Sequence, residues 1–539
     1  MTRIFCVGDL NLDFFIYTND RPLMGREKNI PMPEFSLGGN AANCCMALAG
    51  LGLDAKLVSM IGSDLFTPLL NKELKKAGVK DMLFKSRTRN GISIIFISDN
   101  GERTILSNNG ALAELDAEKI SRRLIPLLKE GDIVYFGGYY HLPKVRKEFP
   151  KLLSEIKKKK AAVFFDATYD EYGKWEIKSF LRQIDTLFLN KLELEKITKK
   201  KSMEEGIRWL FRNGASKVVL KRGPAGASFF SRKSMIESRA LPGKAVNATG
   251  AGDFFNAGYI YGLAKGYGRK ASMMCGNFVA GKKVLKKEYF LPKARDVEDY
   301  LNRQNLVEVR KVKGYDELSQ EISSEIIGQL KKKPDSVIAL AAGNTPLGTY
   351  KKLAEAYRKG RVSFAKAFFV EIDEYLGLQD SSHCLGSYLK KNLLDKTDFK
   401  ERNVMLFRTS RNPTVESRKF ESFIKRKGIN LMVLGIGKNS HIGFNEPGTA
   451  FSSRTHVARL SNSTIVANRV KVKGKLPSQA ITLGLSTIMR AKRIILAASG
   501  SGKAKALSES LKPSPRKSVP ASILQRHKNT VFVADAKAL

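Results

Sequence analysis

Only five cysteines, Cys6, Cys44, Cys45, Cys275 and Cys384, occur in 539 residues, and no two form a CxxC pair. An odd count without paired spacing excludes a disulfide framework and a cysteine zinc site, and points to a reducing cytoplasm. Long apolar runs are also lacking. None approaches the ~20 residues needed to span a bilayer, and the opening MTRIFCVGDLNLDFF reads as a strand and turn rather than a basic leader followed by an apolar core. A cytoplasmic location and no membrane partner are expected. Acidic residues are scarce relative to basic ones, 52 against 94, giving a net charge of +42. Lysine runs at 157–160, 199–201 and 331–333 lie in helix-like segments without interleaved aromatics or a nucleic-acid-binding motif. They read as solvated surface, so nucleic acid is not the expected partner, although a field of this sign steers phosphorylated substrates inward.

With 43% hydrophobic residues the chain is globular, and its length predicts two domains of about 230 to 300 residues each. Its most informative stretch is LMVLGIGKNSHIGFNEPGTAFSSR, Leu431 to Arg454. The apolar start predicts a buried strand that breaks at Gly435 and Gly437 into a turn carrying Asn439, His441, Asn445 and Glu446. A lone histidine there is ordinarily a core residue. With Glu446 to orient it, His441 can exchange protons with a ring oxygen near neutral pH, as the opening of a cyclic sugar requires.

In the first half, a strand near Ile4 to Val7 leads to GDLNLD, where Asp13 either grips sugar hydroxyls or caps a turn. In LGGNAANCCMALAGLG, Gly38 and Gly39 permit close backbone approach, Asn40 and Asn43 offer amides, and Ala41 to Leu51 reads as a helix closed by Gly52. Ile92 to Ser98 and Arg103 to Leu106 flank Asn100-Gly101, a hairpin signal for a small sheet or lid. Strands at Ile133–Phe136, Ala162–Asp166, Thr186–Asn190 and Lys217–Lys221 alternate with helical patterns, which predicts an α/β fold with a largely parallel sheet. NKLE places Asn190 and Glu193 near a magnesium-bound water or phosphate, with a solvated helix face as the ordinary alternative for Glu193. NATGAGDFFNAGYIYGLAKG is the strongest signal of this half. Its Thr249 to Gly252 supply unhindered N–H groups at a helix start, where anions are favoured, and Asp253 on the first turn is placed to take a hydroxyl proton during phosphoryl transfer.

A polar stretch follows, and the expected division is 1–300, a linker at 301–312, and 313–539. In the second half Tyr315 to Lys332 has helical periodicity ending before Pro334. Val337 to Ala341 reads as a strand turning through Gly343, Asn344 and Thr345 into a helix whose start suits a phosphate. Ala367 to Ile372 delivers Asp373 and Glu374, paired acids that are most often a helix cap. Asn468-Arg469 and SGSGKAKAL complete the set, Lys503 opening a helix after the strand Arg493 to Ala498.

The segment 1–300, with GGNAAN early and NATGAGDFFNAG late, resembles the ribokinase-like (PfkB) sugar kinases. The resemblance implies a three-layer α/β/α fold with a small β lid, and ATP with Mg2+ as cofactors. It assigns Asp253 as base, Gly250, Ala251 and Gly252 as anion hole, Asn190 and Glu193 to magnesium and phosphate, and Asp13, Gly39 and Asn43 to the sugar. No residue is assigned as a direct metal ligand. Asn247 stands where the family usually has Asp, which bears on a monovalent cation, and Lys221 stands where threonine is common.

GIGKNSHIGFNEPGTAFSSRT resembles the signature of glucosamine-6-phosphate deaminases, in the superfamily that also holds 6-phosphogluconolactonases, and implies a Rossmann-like α/β domain. It carries the C2 base to Asp373, the ring-opening relay to His441, Glu446 and Asn439, and phosphate binding to Gly343, Thr345, Arg469 and Lys503. Asn439-Ser440 replaces the usual Asp-Gly, and Asn344 replaces a glycine of the phosphate loop. Loss of that carboxylate predicts slower ring opening, with Asn439→Asp raising turnover. The combined expectation is a bifunctional amino-sugar enzyme that phosphorylates a sugar, glucosamine or a related hexose, and deaminates glucosamine 6-phosphate. Sugars and sugar phosphates are then its partners, and a homo-oligomer is left open. Alternatives are a kinase acting afterwards on fructose 6-phosphate, a lactonase-type second domain, and a sugar-phosphate-binding regulator without turnover.

Overall fold

The computed structural model describes all residues except 1, 20–24, 26, 28, 31, 99–102, 233, 287–289, 379–382 and 469–476. The chain divides into two units, Met1–Leu301 and Asn302–Leu539. The first is built on a nine-stranded sheet in the order Ser234–Ser238, Ala227–Ser231, Lys217–Lys221, Thr186–Asn190, Ala162–Asp166, Ile133–Gly137, Ile4–Gly8, Ala55–Val58 and Lys80–Asp81. The first three strands pair antiparallel and all later pairs are parallel. The inner strands are short, mostly apolar and buried, as a parallel sheet covered on both faces requires. One face is sealed by aromatic packing: Phe149 lies 4.9 Å from Phe136 and from Phe180, both edge-on, with Tyr139 and Phe165 against it.

A separate four-stranded sheet, Glu34–Gly38, Asn11–Tyr17, Gly91–Ile97 and Arg103–Asn108, forms the small lid. Its last two strands are the expected hairpin pair, in antiparallel register, while the turn at Asn100-Gly101 lies outside the described residues.

The second unit has a seven-stranded, all-parallel sheet: Glu308–Val312, Thr530–Asp535, Ile494–Ala498, Leu431–Gly435, Val337–Leu340, Phe368–Glu371 and Val404–Met405. Alternate residues feed opposite faces. Met432 and Leu434 join one apolar cluster, Leu431 and Val433 the other. Part of the stretch expected as a linker, Glu308–Val312, is therefore the edge strand of this sheet. Its three charged residues hid it, and Arg310 is held there by Glu308, Glu321 and Glu325. A three-stranded antiparallel sheet, Asp373–Leu376, Gln479–Thr482 and His456–Arg459, completes the unit. All five thiols are free, and among the described residues no helix is long and apolar enough to cross a membrane.

Candidate active sites

In a parallel sheet every strand ends at the same edge, so the loops leaving that edge gather residues far apart in sequence. In the second unit they surround a cavity of about 670 Å³ bordered by Gly343, Thr345, Asp373, His441 and Lys503. The helix Asn344–Arg358 starts at this cavity with Gly343 as its N-cap. Tyr388 donates to the Gly343 carbonyl at 2.6 Å, and Tyr315 donates to the Asn344 carbonyl and accepts from the Gly348 N–H, both at 2.8 Å. The helix start is thus fixed from two sides. Lys503 donates to the Ile436 carbonyl at 2.5 Å, which holds its ammonium on the cavity wall. Arg469 lies outside the described residues.

His441 lies against backbone: a Cβ on Gly437 would come within 2.4 Å of its ring, so only glycine fits. Its Nδ1 faces the Thr464 hydroxyl at 3.3 Å and the Glu446 carboxylate at 3.8 Å. Burial opposes charge on Glu446, but His441, Thr464 and Asn439 outweigh it and hold the carboxyl at about 2. Asn439 is not a passive stand-in for a carboxylate. Its Oδ1 accepts the backbone N–H of His441 at 3.2 Å, which turns Nδ2 toward Glu446 to donate at 2.7 Å. A carboxylate at 439 would face Glu446 rather than the imidazole, so the simple gain expected of Asn439→Asp does not follow from this geometry.

Asp373 ends up buried at the cavity. Burial first, and then the neighbouring Glu374, push its carboxyl up to about 7. The paired acids divide their work. Glu374 accepts from the N–H groups of Tyr375, Leu385 and Gly386 at 2.7 to 2.9 Å and so anchors the chain, whereas Asp373 is the one that borders the cavity.

In the first unit the helix Ala251–Ala264 is capped by Gly250, and the loop before it is braced by Asn247, whose Oδ1 accepts the Thr249 N–H at 2.9 Å. Asp253, on the first turn, is 4% exposed. Burial and the nearby Asp166 raise its carboxyl well above the usual range, while Lys221 and the amides of Asn40 and Asn43 pull it back. Both amides donate to Asp253 at 3.1 Å. Asn43, expected to face the sugar, therefore also positions the Asp253 carboxylate. Asp13 borders a cavity of about 120 Å³ together with Asn43, Thr249 and Gly250. Burial and Asp9 push Asp13 up to about 7, and its carboxyl sits so close to Gly38 that a Cβ there would lie 2.1 Å away. Gly39 is the N-cap of the helix Asn40–Gly50, its backbone against that of Asp9.

Asn190 and Glu193 satisfy each other. The Asn190 Oδ1 accepts the Glu193 N–H at 2.9 Å, and the Glu193 carboxylate accepts the Asn190 N–H at 2.7 Å, a reciprocal cap that buries Glu193 instead of leaving it on a solvated face. Asn190 still borders a cavity of about 630 Å³ with Leu194, Leu220, Lys221 and Gly223.

Several polar groups around these cavities escape the sequence reading. Lys221, noted only as a departure, donates to Asp166 at 2.6 Å and stands beside Gly252, whose Cβ would lie 3.3 Å from its Nζ. Asn256 donates to the same Asp166 oxygen at 2.5 Å and to Tyr135 at 3.1 Å, while the other Asp166 oxygen is buried without a partner. His141 pairs with Asp9 at 3.2 Å behind Asp13. The available signal was a charged residue in the last position of a buried strand, which holds for Asp166 and Lys221 alike.

Comparison with known proteins agrees with both halves. Residues 1–292 match the family model of the pfkB family carbohydrate kinases, and residues 311–533 that of the glucosamine-6-phosphate isomerases/6-phosphogluconolactonase. A glucosamine-6-phosphate deaminase of a Geobacillus species is 41% identical over 230 residues, 42% of this chain and 92% of the relative. One from Oceanobacillus iheyensis is 40% identical over 238 residues, 43% of this chain and 95% of the relative. The ribokinase structure from Thermotoga maritima is 23% identical with a TM-score of 0.50, over 56% of this chain and 99% of that one, and shares the fold. The chain belongs to the pfkB family of carbohydrate kinases through residues 1–292, fused to a glucosamine-6-phosphate deaminase domain at residues 311–533.

Proposed function

We propose that the chain is a bifunctional amino-sugar enzyme whose second unit converts glucosamine 6-phosphate and water to fructose 6-phosphate and ammonia. The observation that carries this is Asp373, a carboxyl at about 7 on the same cavity as His441, Thr345 and Lys503. Thr345 and Lys503 anchor the phosphate. His441, oriented by Glu446 and Thr464, moves a proton between the C1 hydroxyl and the ring oxygen and opens the ring. Asp373 takes the C2 proton and returns it to C1, leaving an imine at C2 that water hydrolyses with release of ammonia. A base near neutrality is matched to this work, because it is ionised at working pH yet basic enough to accept a carbon-bound proton.

The first unit transfers a phosphoryl group to a hexose or hexosamine, with Asp253 accepting the hydroxyl proton. ATP with Mg2+ supplies that group and neutralises its charge. The donor set suits such a ligand: the N–H groups of Gly250, Ala251 and Gly252 at a helix start, the Lys221 ammonium, and an Asp166 oxygen buried without a partner. Glucosamine as acceptor makes the second unit's substrate. Fructose 6-phosphate, the second unit's product, is the other reading, and a lysine on the acceptor cavity, Lys283, favours it.

The test is ammonia and fructose 6-phosphate formation from glucosamine 6-phosphate by the full chain without ATP, with ADP formation measured on glucosamine, N-acetylglucosamine, fructose and fructose 6-phosphate. Ammonia release abolished by Asp373→Asn is expected. Hydrolysis of 6-phosphogluconolactone without ammonia release would overturn the deaminase reading, and failure of both units to turn over would leave a binding protein.

A further inference from the structure

Lys283 lies in the last turn of the helix Arg269–Val284, a place where lysine ordinarily just complements the helix end. Here its side chain borders the cavity shared by Asp13, Asn43, Asn247, Thr249 and Gly250. Its neighbours on the chain have partners: Lys282 lies over the ring of Phe278, and Lys286 over that of Phe290. Lys283 has none among the described residues. Burial lowers the pKa of its ammonium, and among the described residues no carboxylate pairs with it, although Asp13 and Glu34 border the same cavity. The residue after it is tied to the anion-hole loop, because the Val284 carbonyl accepts the N–H groups of Val246 and Asn247 at 2.7 and 3.2 Å. The backbone that carries the lysine is therefore hydrogen-bonded to the start of that loop. A half-buried ammonium with no counter-ion among the described residues is satisfied when a bound anion arrives.

We infer that Lys283 binds a phosphate oxygen on the acceptor side of the kinase site, donated either by an acceptor that already carries a phosphate or by the transferring end of the nucleotide. This rests on the kinase reading of the first unit. With an acceptor phosphate, the kinase consumes a phosphorylated sugar, and a reaction that yields one must precede it. With a nucleotide phosphate, the acceptor is free to be neutral.

The experiment is steady-state ADP formation by the full chain and its Lys283→Met and Lys283→Arg variants, with fructose 6-phosphate and fructose as a matched acceptor pair, varying ATP separately. Loss of one charge-assisted hydrogen bond is expected to change the affected constant about tenfold or more, and arginine to restore most of it. A rise in KM confined to fructose 6-phosphate assigns the acceptor phosphate. A rise in KM for ATP, or a fall in kcat with both acceptors, assigns the nucleotide. Constants within twofold of wild type throughout would overturn the inference, and circular dichroism with retained ammonia release separates misfolding from a local effect. Wild-type protein that neither binds ATP nor forms ADP would instead refute the kinase reading.

Discussion

Replacing Asn439 by Asp tests how the ring-opening relay is wired. The substitution exchanges an N–H donor for a carboxylate oxygen 2.7 Å from the Glu446 carboxylate. Two unit charges at that distance repel by roughly 6 kcal/mol at an effective dielectric of about 20. That is a little over four powers of ten in proton affinity, enough to lift the pair's upper apparent pKa from the about 2 of Glu446 to between about 6 and 7. At pH 7 and above the variant keeps two charges beside His441, and below pH 6 it holds a shared proton. Asp373, at about 7, already gives the wild type one acid limb. The assay is ammonia release from glucosamine 6-phosphate between pH 5 and 9. The logarithm of kcat/KM should fall with a limiting acid slope of one in the wild type and steepen toward two in Asn439→Asp. Superimposable profiles would refute the reasoning, because they would mean that the amide does not donate to Glu446.

Three further outcomes follow from distances at the sites. Gly437→Ala places a Cβ 2.4 Å from the His441 ring, so ammonia release should drop about 100-fold or more, the usual value of a positioned acid-base group, while ADP formation by the same chain is unchanged. Gly38→Ala puts a methyl 2.1 Å from the Asp13 carboxyl and should raise KM for the sugar acceptor with little effect on KM for ATP, as initial-rate kinetics will show. Asp253→Asn should abolish ADP formation and leave deamination intact, read in parallel assays on one preparation.

Much of the fold was legible because both sheets are built from short apolar runs between helices. Ile133–Gly137, Ala162–Asp166, Thr186–Asn190 and Leu431–Gly435 all announce themselves this way. Glu308–Val312 did not, since three of its five residues are charged, and Glu308 and Arg310 are covered as an ion pair that sequence alone does not reveal. The glycine loops with Asp253 and His441 were legible because chemistry and local backbone coincide within a few residues. The Asp166–Lys221 pair was not. Its members are 55 residues apart and meet only because parallel strands end at one edge. Asn439 illustrates a different limit: its residue type was evident, but whether the amide gives or takes a hydrogen bond depends on where the His441 N–H lies. Lys283 was invisible for the opposite reason, looking like an ordinary helix-end cation.

The Asp166–Lys221 pair also predicts how kinase chemistry and stability can be separated. Lys221→Met strands the Asp166 carboxylate, 2% exposed, without the ammonium at 2.6 Å. Breaking a buried pair from one side destabilises by about 3 to 5 kcal/mol. The same change removes one of the groups that lower Asp253, whose carboxyl then rises further above its usual range. An acid whose folded pKa is raised binds its proton more tightly in the folded state, so the variant should lose stability as pH rises and need a higher pH for its base to be ionised. Thermal unfolding across pH 6 to 9 and the acid limb of ADP formation measure the two effects. In Lys221→Met/Asp166→Asn the Asp166 charge is removed together with its ammonium, so most of the lost melting temperature should return, whereas ADP formation should not, because the ammonium beside Gly252 is still missing. Recovery of both would reduce Lys221 to a packing role, and recovery of neither would show that Asn256 and Tyr135 cannot hold the site without the Asp166 charge.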